Sequence, residues 1–336
     1  MHNLTIYILN RLRILFKSLG KKEESFNDLI NYLSWKNHPN LKNFEIKKKE
    51  IFNDKKIKLP KYLIVTITFY YDQKKIKYLR SICKELFNIS SKCKVVIVTN
   101  LKSHSLKKKL IQKIKFKNLQ VETFTPENLT SSRFLPWTHL IIMQKYFKIK
   151  KYSHFLNLED DILISKKNFI YWIKSRILLK KFNLIPGFIR TENKNNKLYA
   201  IDFVKKNKKK KLAYISVNNN YHFISHKFPY QGMYLYDREL MKEHLNGPSS
   251  NPDCGHGAFD LKYLDKRMIN LDLMAKANIG LTYINVPKGF NSRLVIPYDL
   301  NIKKLSQICF IKHLSNKYSK FENSWFGNYK VDEVID

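Results

Sequence analysis

The sequence predicts an α/β fold in which a mixed, mostly parallel sheet is flanked by helices. Tyr62–Phe69 (YLIVTITF), Lys94–Thr99 (KVVIVT) and Leu119–Thr125 are rich in apolar and β-branched residues, as buried strands are. Segments with helical spacing of apolar residues separate them, the pattern of a parallel sheet wrapped by helices. A fourth run, His154–Ser165 (HFLNLEDDILIS), contains three adjacent acids. Ligands of such sheets bind beyond the carboxyl ends of the strands, so we expect a site there.

The chain has 336 residues, 44% of them hydrophobic, which is enough for one large domain or two modest ones with a sizeable core. We divide it into a basic, mostly helical lead-in at 1–58 and a catalytic domain at 59–330. The first twenty residues have the pattern of a basic amphipathic helix. Such a helix would lie on an anionic membrane surface or pack on the protein itself. No run of about 18 apolar residues predicts a transmembrane helix. We expect a cytoplasmic protein, which would be peripheral on the inner face of the membrane if the amphipathic helix binds lipid.

The formal net charge of +36 raises nucleic acid as a partner. However, only nine of the 63 basic residues are arginine, and the lysines occur in runs such as Lys107–Lys109 and Lys208–Lys211. Nucleic-acid surfaces usually combine arginine forks with stacking aromatic residues. We therefore keep nucleic-acid binding as an alternative and do not expect it to be the main function.

Four cysteines, Cys83, Cys93, Cys254 and Cys309, form no CxxC pair. This spacing favours reduced, buried thiols over a zinc site or a disulfide framework.

Helices are predicted between the strands. The first covers Lys74–Phe87, and Leu106, Leu110, Ile111 and Ile114 mark the second. Between the third and fourth strands, Leu129–Phe147 (LTSSRFLPWTHLIIMQKYF) ends in a third helix, whose apolar stripe includes Leu140, Ile141 and Tyr146.

Arg133 lies just before that third helix. A guanidinium group can bind a phosphate with two parallel hydrogen bonds, which makes Arg133 a candidate substrate-binding residue. An ordinary surface arginine is the alternative.

The three acids are the main functional signal. On a strand, Glu159 and Asp161 point to one face and Asp160 to the other. Adjacent carboxylates repel one another, and burial disfavours their ionised form, so we expect a cation beside them. Mg²⁺ or Mn²⁺ fits best, because these ions take hard oxygen ligands and often combine one or two carboxylates with substrate phosphates. We predict Asp161 as the direct ligand and Glu159 as the contact of a substrate hydroxyl or a metal-bound water. Solvated acids at a polar strand end are the alternative.

The remaining segments are predicted in order as a helix at Phe169–Leu179, a strand at Leu184–Thr191 and a solvated loop at Lys205–Lys211. A turn and a strand follow at His226–Tyr236, and then a helix at Arg238–Leu245.

The last third of the chain begins with a Gly/Pro/Ser/Asn-rich loop at Asn246–Ala258, which is either a mobile lid or a tolerated surface loop. A helix at Asn270–Ala277 contains Asp272, and Tyr283–Val286 is a short strand. Ile308–Tyr318 places His313 at the end of an apolar strand, where a histidine is more often structural than functional.

Taken together, these segments resemble the metal-dependent glycosyltransferases of the nucleotide-sugar-binding A type, whose Rossmann-like domain ends a central strand in a short acidic motif. They look most like the C-terminal catalytic domain of the exostosins. The specific match is SSRFLPW at Ser131–Trp137, followed by LNLEDDILIS at Leu156–Ser165. NLDLMAKANIG, around Asp272, is similar to that family's acidic helix segment. The resemblance covers roughly 60–320.

The resemblance implies that Asp160 and Asp161 hold Mn²⁺ or Mg²⁺ against a diphosphate, with Glu159 in place of the family's first aspartate. It also implies that Arg133 contacts the diphosphate and that Asp272 lies by the reacting sugar. His313 falls where many enzymes of this fold have a late metal ligand, which is an analogy of fold alone.

Thr68, at the end of the first predicted strand, and Arg293, in PKGFNSRLVIP, complete the candidate substrate-binding residues.

The expected function is transfer of a hexosyl or N-acetylhexosaminyl group from a nucleotide-sugar donor to a glycan or lipid-linked acceptor, in surface polysaccharide synthesis. A divalent ion stabilises the departing diphosphate as a Lewis acid. An inverting enzyme also needs a base, for which Asp272 is the first candidate and Asp260 the second; the exostosin likeness suggests retention instead. A nucleotidyltransferase is a further alternative, although no Gly-rich phosphate loop precedes a helix.

Overall fold

The structure is a computed structural model that describes residues 44–46, 57–116, 119–203, 212–217, 221–226, 229–252, 272–320 and 326–335. Four features named in the sequence analysis lie outside these residues: the N-terminal amphipathic helix, the lysine-rich loop at Lys205–Lys211, Cys254 and the candidate base Asp260. None of the helices within the described ranges is long and apolar enough to cross a membrane.

The strands are numbered along the chain: β1 (Phe44–Ile46), β2 (Tyr62–Phe69), β3 (Lys92–Thr99), β4 (Gln120–Phe124), β5 (His154–Glu159), β6 (Ile162–Leu163), β7 (Ile185–Pro186), β8 (Ile189–Lys194), β9 (Lys197–Ala200), β10 (Tyr214–Val217), β11 (Tyr221–Ser225), β12 (Met233–Asp237), β13 (Leu294–Asp299), β14 (Lys304–Leu305), β15 (Phe310–His313) and β16 (Tyr329–Lys330). The α-helices are α1 (Ile76–Ile89), α2 (His104–Ile114), α3 (His139–Phe147), α4 (Lys166–Leu179), α5 (Arg238–Asn246) and α6 (Leu273–Ile279).

The central sheet has the strand order β12-β5-β2-β3-β4. The pairings of β2 with β3, β2 with β5 and β3 with β4 are parallel, and β12 alone runs antiparallel, beside β5. The predicted α/β fold with a mostly parallel sheet is confirmed here. Every residue of β2 after Tyr62 is buried, because both faces of a parallel sheet are covered by helices.

Helix α1 covers this sheet with the apolar stripe that its spacing predicts. Leu79, Cys83 and Leu86 are fully buried, and Ile76 lies at the edge of the same core. Helix α2 does the same with Leu110 and Ile114, and its hydroxyl cap is Ser103, which accepts a hydrogen bond from the backbone N–H of Leu106.

Two further sheets, in which antiparallel pairing predominates, extend the fold. One has the order β1-β10-β11-β13-β14, with β7 paired to β13; the other has the order β16-β9-β8-β15-β6. The second of these matters for the site, because β6 follows the acids directly and pairs with β15, which in turn pairs with β8.

Two predicted elements and one predicted core residue differ from the structure. The single strand predicted at Leu184–Thr191 is two strands, β7 and β8, because the chain passes from one sheet to another at Gly187. A Cβ atom at Gly187 would lie 3.3 Å from Cβ of Leu294. The backbone N–H of Gly187 donates a hydrogen bond to the carbonyl of Val295 over 2.8 Å. Tyr283–Val286 forms turns, so the strand predicted there is wrong. Ile141 is 55% exposed and not part of the buried stripe of α3.

Candidate active site

The acidic triplet lies where the chain leaves the central sheet. Strand β5 ends at Glu159, Asp160 and Asp161 form a turn, and β6 begins at Ile162 in the other sheet. The predicted alternation of faces therefore stops at Glu159, because Asp160 and Asp161 are not on a strand. The turn brings all three carboxylates to one cavity at the carboxyl ends of β2 and β5.

Asp161 is held by a buried histidine. Nε2 of His313 lies 3.1 Å from Oδ2 of Asp161, and Nδ1 lies 2.5 Å from Oε1 of Glu192. Burial raises the pKa of Asp161, but hydrogen bonds from His313 and Ser315 outweigh it and bring the pKa down to about 2. Burial lowers the pKa of His313, and its bonds to the two acids reverse this and raise the pKa above its ordinary value. Asp161 is therefore an ionised carboxylate of fixed orientation.

Asp160 has a different environment. Nζ of Lys75 lies 3.2 Å from its Oδ2, and the lysine side chain remains 37% exposed. Burial raises the pKa of Asp160 to about 6, against the attraction of Lys75, and the negative charges of Asp161 and Glu159 add to the rise. A buried acid with this pKa has too little positive charge around it.

Glu159 is fixed by hydrogen bonds from several elements. Its Oε1 accepts bonds from the hydroxyl of Tyr230 and, over 3.0 Å, from Nδ2 of Asn278 on α6. Oδ1 of Asn278 in turn accepts a bond of 2.7 Å from Nδ2 of Asn157, whose Oδ1 accepts one of 2.8 Å from the hydroxyl of Thr66. This buried series of bonds joins β2, β5 and α6 to the acid.

A buried ion pair lies beside Glu159. Arg190, on β8, donates to Asp202 from Nε over 3.0 Å and from NH2 over 2.5 Å, and both residues are buried. The guanidinium carbon of Arg190 lies 4.7 Å from the ring centre of Tyr230, and NH1 lies 3.6 Å from Oε2 of Glu159. The charge of Arg190 is thus shared between Asp202 and Glu159.

Thr68 contributes an unpartnered polar atom. Its Oγ1 is buried and has no hydrogen-bond partner within the described part of the chain, although the residue lines the cavity and pairs in register with Glu159. Leaving a buried hydroxyl unpaired is unfavourable, so we expect a ligand or an ordered water to satisfy it.

The cavity has a volume of about 690 Å³, within the range typical of ligand sites. Its lining residues are Thr68, Tyr70, Lys75, Pro136, Glu159, Asp160, Asp161, Arg190, Asp202, Tyr230, Asp272, Met274, Ala275, Asn278, Ile279, Tyr283, Lys317, Tyr318 and Phe326. Five carboxylates and three cationic side chains are among these described residues, so their formal charges leave an excess of negative charge.

Five of the predicted site residues line this cavity, namely Thr68, Glu159, Asp160, Asp161 and Asp272. Asp272 also caps α6, because its Oδ1 accepts hydrogen bonds from the backbone N–H groups of Met274 and Ala275. The second carboxylate oxygen takes part in neither bond. Asp272 is exposed, which places it at the rim.

The other predicted residues lie elsewhere. Arg133 is exposed and does not line the cavity. Its positive charge nevertheless acts on Tyr70, which does line the cavity. His313 lies behind Asp161. Arg293 is buried and does not line the cavity; it donates hydrogen bonds to Asn183, to Glu243 over 2.7 Å and to the carbonyl of Ile284.

Sequence reasoning missed Lys75, Arg190, Asp202, Tyr230, Asn278 and Lys317. Arg190 had a usable signal, since it is one of only nine arginines and lies in an otherwise apolar strand. Asn278 lies in the segment around Asp272 that was singled out, but the spacing gave no reason to select it.

A divalent ion fits this site only together with a ligand. Among the residues described here, no three His, Cys, Asp or Glu side chains are placed to hold an ion. Asp160 and Asp161 supply two carboxylates, and Mg²⁺ commonly takes one or two from the protein and the rest of its oxygens from water and substrate phosphates. The negative excess of the cavity and the raised pKa of Asp160 are consistent with that arrangement.

No family model matches the chain, and no curated protein matches it significantly. Among solved structures, the chain is similar to the bifunctional glycosyltransferase WbbM in its apo form, with 10% identity and a TM-score of 0.28 over 55% of this chain and 33% of that one. It is also similar to residues 1–349 of S. aureus TarS, with 14% identity and a TM-score of 0.30 over 54% of this chain and 48% of that one. The chain thus spans between a third and about half of those solved chains, and likenesses this low assign no family.

Proposed function

We propose that this chain is a metal-dependent glycosyltransferase that moves a sugar from a nucleotide-sugar donor to a glycan or lipid-linked acceptor. The observation that carries the proposal is the cavity at the carboxyl ends of β2 and β5, into which Asp160 and Asp161 project beside cationic side chains. An acid-lined cavity does not favour a bare polyanion such as nucleic acid. It suits a diphosphate that brings a divalent ion with it.

In the proposed reaction, the acceptor oxygen bonds to the anomeric carbon, and the bond from that carbon to the diphosphate breaks with its electron pair leaving on the diphosphate. The acceptor proton passes to a base. Of the two candidate bases, Asp272 lies at the rim of the cavity, and Asp260 lies outside the described residues. Asp160 and Asp161 would hold Mn²⁺ or Mg²⁺, which supplies Lewis-acid stabilisation of the diphosphate. His313 and Glu192 keep Asp161 ionised and oriented.

A thermal-shift screen of nucleoside diphosphates and nucleotide sugars, with and without Mn²⁺, tests the binding step. A ligand at 100 times its Kd stabilises the folded protein by about 2.7 kcal/mol, which is a measurable shift. We expect a shift that requires Mn²⁺ in the wild type and is lost in Asp161→Ala. Asp332→Ala, which removes an exposed acid at another site, is the matched control and should behave as the wild type.

Any hit from this screen is then assayed for release of nucleoside diphosphate from the nucleotide sugar with a glycan acceptor. Transfer that persists unchanged in Asp161→Ala would refute the metal role. A chain that binds no nucleotide sugar or nucleoside diphosphate would refute the proposed function. The lipid-linked acceptor and the membrane surface are parts of the proposal that need separate tests, with acceptor lipids and with vesicles.

A further inference from the structure

Two lysines line the cavity, and the steps of the proposed reaction give neither of them a role. Lys75, in the short 3-10 helix before α1, and Lys317, after β15, both line it. Lys75 lies 3.2 Å from Asp160, and the positive charge of Lys317 acts on Asp161. The two cations therefore belong to different acids of the turn and come from different parts of the fold.

Both ammonium groups are accessible to a ligand. The side chain of Lys75 is 37% exposed, and Lys317 is exposed with its Nζ 5.0 Å from the ring centre of Tyr318. An ammonium group has three N–H donors, so Lys75 can keep its contact with Asp160 and still donate to another oxygen. Arg133, the cation expected from the sequence, is exposed and does not line the cavity.

Thr68 points independently to a ligand at this end of the cavity. Its Oγ1 is buried and unpartnered, and its strand neighbour in register is Glu159, the residue before the acidic turn. A hydroxyl donor and two lysines around a pair of carboxylates form a set that suits phosphate oxygens. Without these donors, the negative charge of Asp160 and Asp161 would repel a diphosphate.

We propose that Lys75 and Lys317, with the hydroxyl of Thr68, bind the non-bridging oxygens of the diphosphate. This inference rests on the proposed function and names the residues that receive its leaving group. Positive charge held at that position stabilises the charge that develops as the bond to the sugar breaks.

The test uses inorganic pyrophosphate as the probe, because it needs no knowledge of the base or the sugar. Its affinity is measured by calorimetry for the wild type, Lys75→Gln and Lys317→Gln, at two saturating concentrations of Mn²⁺. Lys74→Gln and Lys320→Gln are matched controls, since each removes one exposed lysine from the same segment without touching the cavity lining. Net charge is thus equal in all four variants.

We expect each cavity variant to bind pyrophosphate about 10-fold more weakly than its control, the size typical of a hydrogen bond to a charged group. The loss should be the same at both Mn²⁺ concentrations, which separates the lysines from any effect on the occupancy of an ion at Asp160 and Asp161. Lys75→Arg and Lys317→Arg keep the charge and should restore most of the affinity. Orthophosphate, which cannot span two cations as a diphosphate does, should be affected less.

Equal affinities in the cavity variants and their controls would overturn the inference while leaving the proposed function standing. A loss of affinity confined to one of the two variants would overturn the inference that both lysines bind the diphosphate. If the wild type binds neither pyrophosphate nor any nucleoside diphosphate, the inference and the proposed function both fail.

Discussion

At the scale of single residues, the site depends on how tightly Glu159 is confined. Gly232 has a φ of 62°, and a Cβ atom there would lie 2.7 Å from Oε2 of Glu159 and 3.2 Å from Cγ1 of Ile162. Its carbonyl also accepts a hydrogen bond from the N–H of Glu159. Glycine is therefore required for backbone conformation and for space, and the sequence alone shows neither requirement.

We expect Gly232→Ala to lower the free energy of unfolding by about 1–2 kcal/mol, because alanine disfavours a positive φ. It should also reduce the proposed sugar transfer, because Glu159 has to move away from the new methyl group. Urea unfolding and transfer assays on the same preparation check both effects. Gly247→Ala is the control, since the φ of Gly247 is −112°, which suits any residue. Wild-type transfer in Gly232→Ala would show that the position of Glu159 is unimportant.

At the scale of elements, the hydrogen bonds from Thr66 through Asn157 to Asn278 attach α6 to the central sheet. Asn157 is the polar exception in an apolar run of β5, and it is fully buried. Buried polar side chains are tolerated when their bonds are made, and here each amide has a partner. Helix α6 supplies the cavity with Asp272 at its cap and Asn278 near its end.

We expect Asn157→Leu to destabilise the protein by about 1–3 kcal/mol, because it leaves the buried oxygen of Asn278 without its donor. The hydroxyl of Thr66 also loses its acceptor, so the double variant Thr66→Val with Asn157→Leu should recover part of the loss. Urea unfolding of the single and double variants measures this coupling. If Asn157→Leu alone is as stable as the wild type, the bonds do not hold α6.

The elements also show what the sequence could and could not predict. Strands β2 and β3, helix α1 and the acids after β5 were predictable, because burial on both sheet faces and helical spacing are local patterns. The contact of Arg190 with Glu159 was not, because Arg190 lies on β8, which joins the acids by way of β15 and β6. Nothing local in the sequence encodes such pairings.

At the scale of the whole molecule, charge and burial are distributed unevenly. The chain has a formal charge of +36, yet the side chains that line the cavity have an excess of negative charge. Four of the described histidines are buried or half-buried in surroundings that disfavour their charged form. Burial lowers the pKa of His139 and His154 to about 4 and that of His226 and His244 to about 3.

These histidines predict a loss of stability in mild acid. Their pKa is near 6.5 in the unfolded chain and lower in the folded protein, so the unfolded state binds more protons as the pH falls below about 6.5. Stability is full above that pH and decreases toward pH 4, with each buried histidine contributing up to about 1.4 kcal/mol per pH unit. Asp160, Asp202 and His313, whose pKa values are raised, act in the opposite direction. Asp161 and Glu192, whose pKa values are lowered, add to the loss of stability in acid, so six groups act against three.

Urea unfolding at pH 7, 6, 5 and 4.5 should show this slope, and His139→Gln with His244→Gln should reduce it. These two rings contact Tyr234 from different helices, and within the described residues the Nε2 atoms of both lack a hydrogen-bond partner, so protonating either places an unpaired charge in the core. His104→Gln, on the exposed face of α2, is the control and should leave the slope unchanged. A free energy of unfolding that stays constant from pH 7 to pH 5 would contradict the buried, neutral state of these histidines.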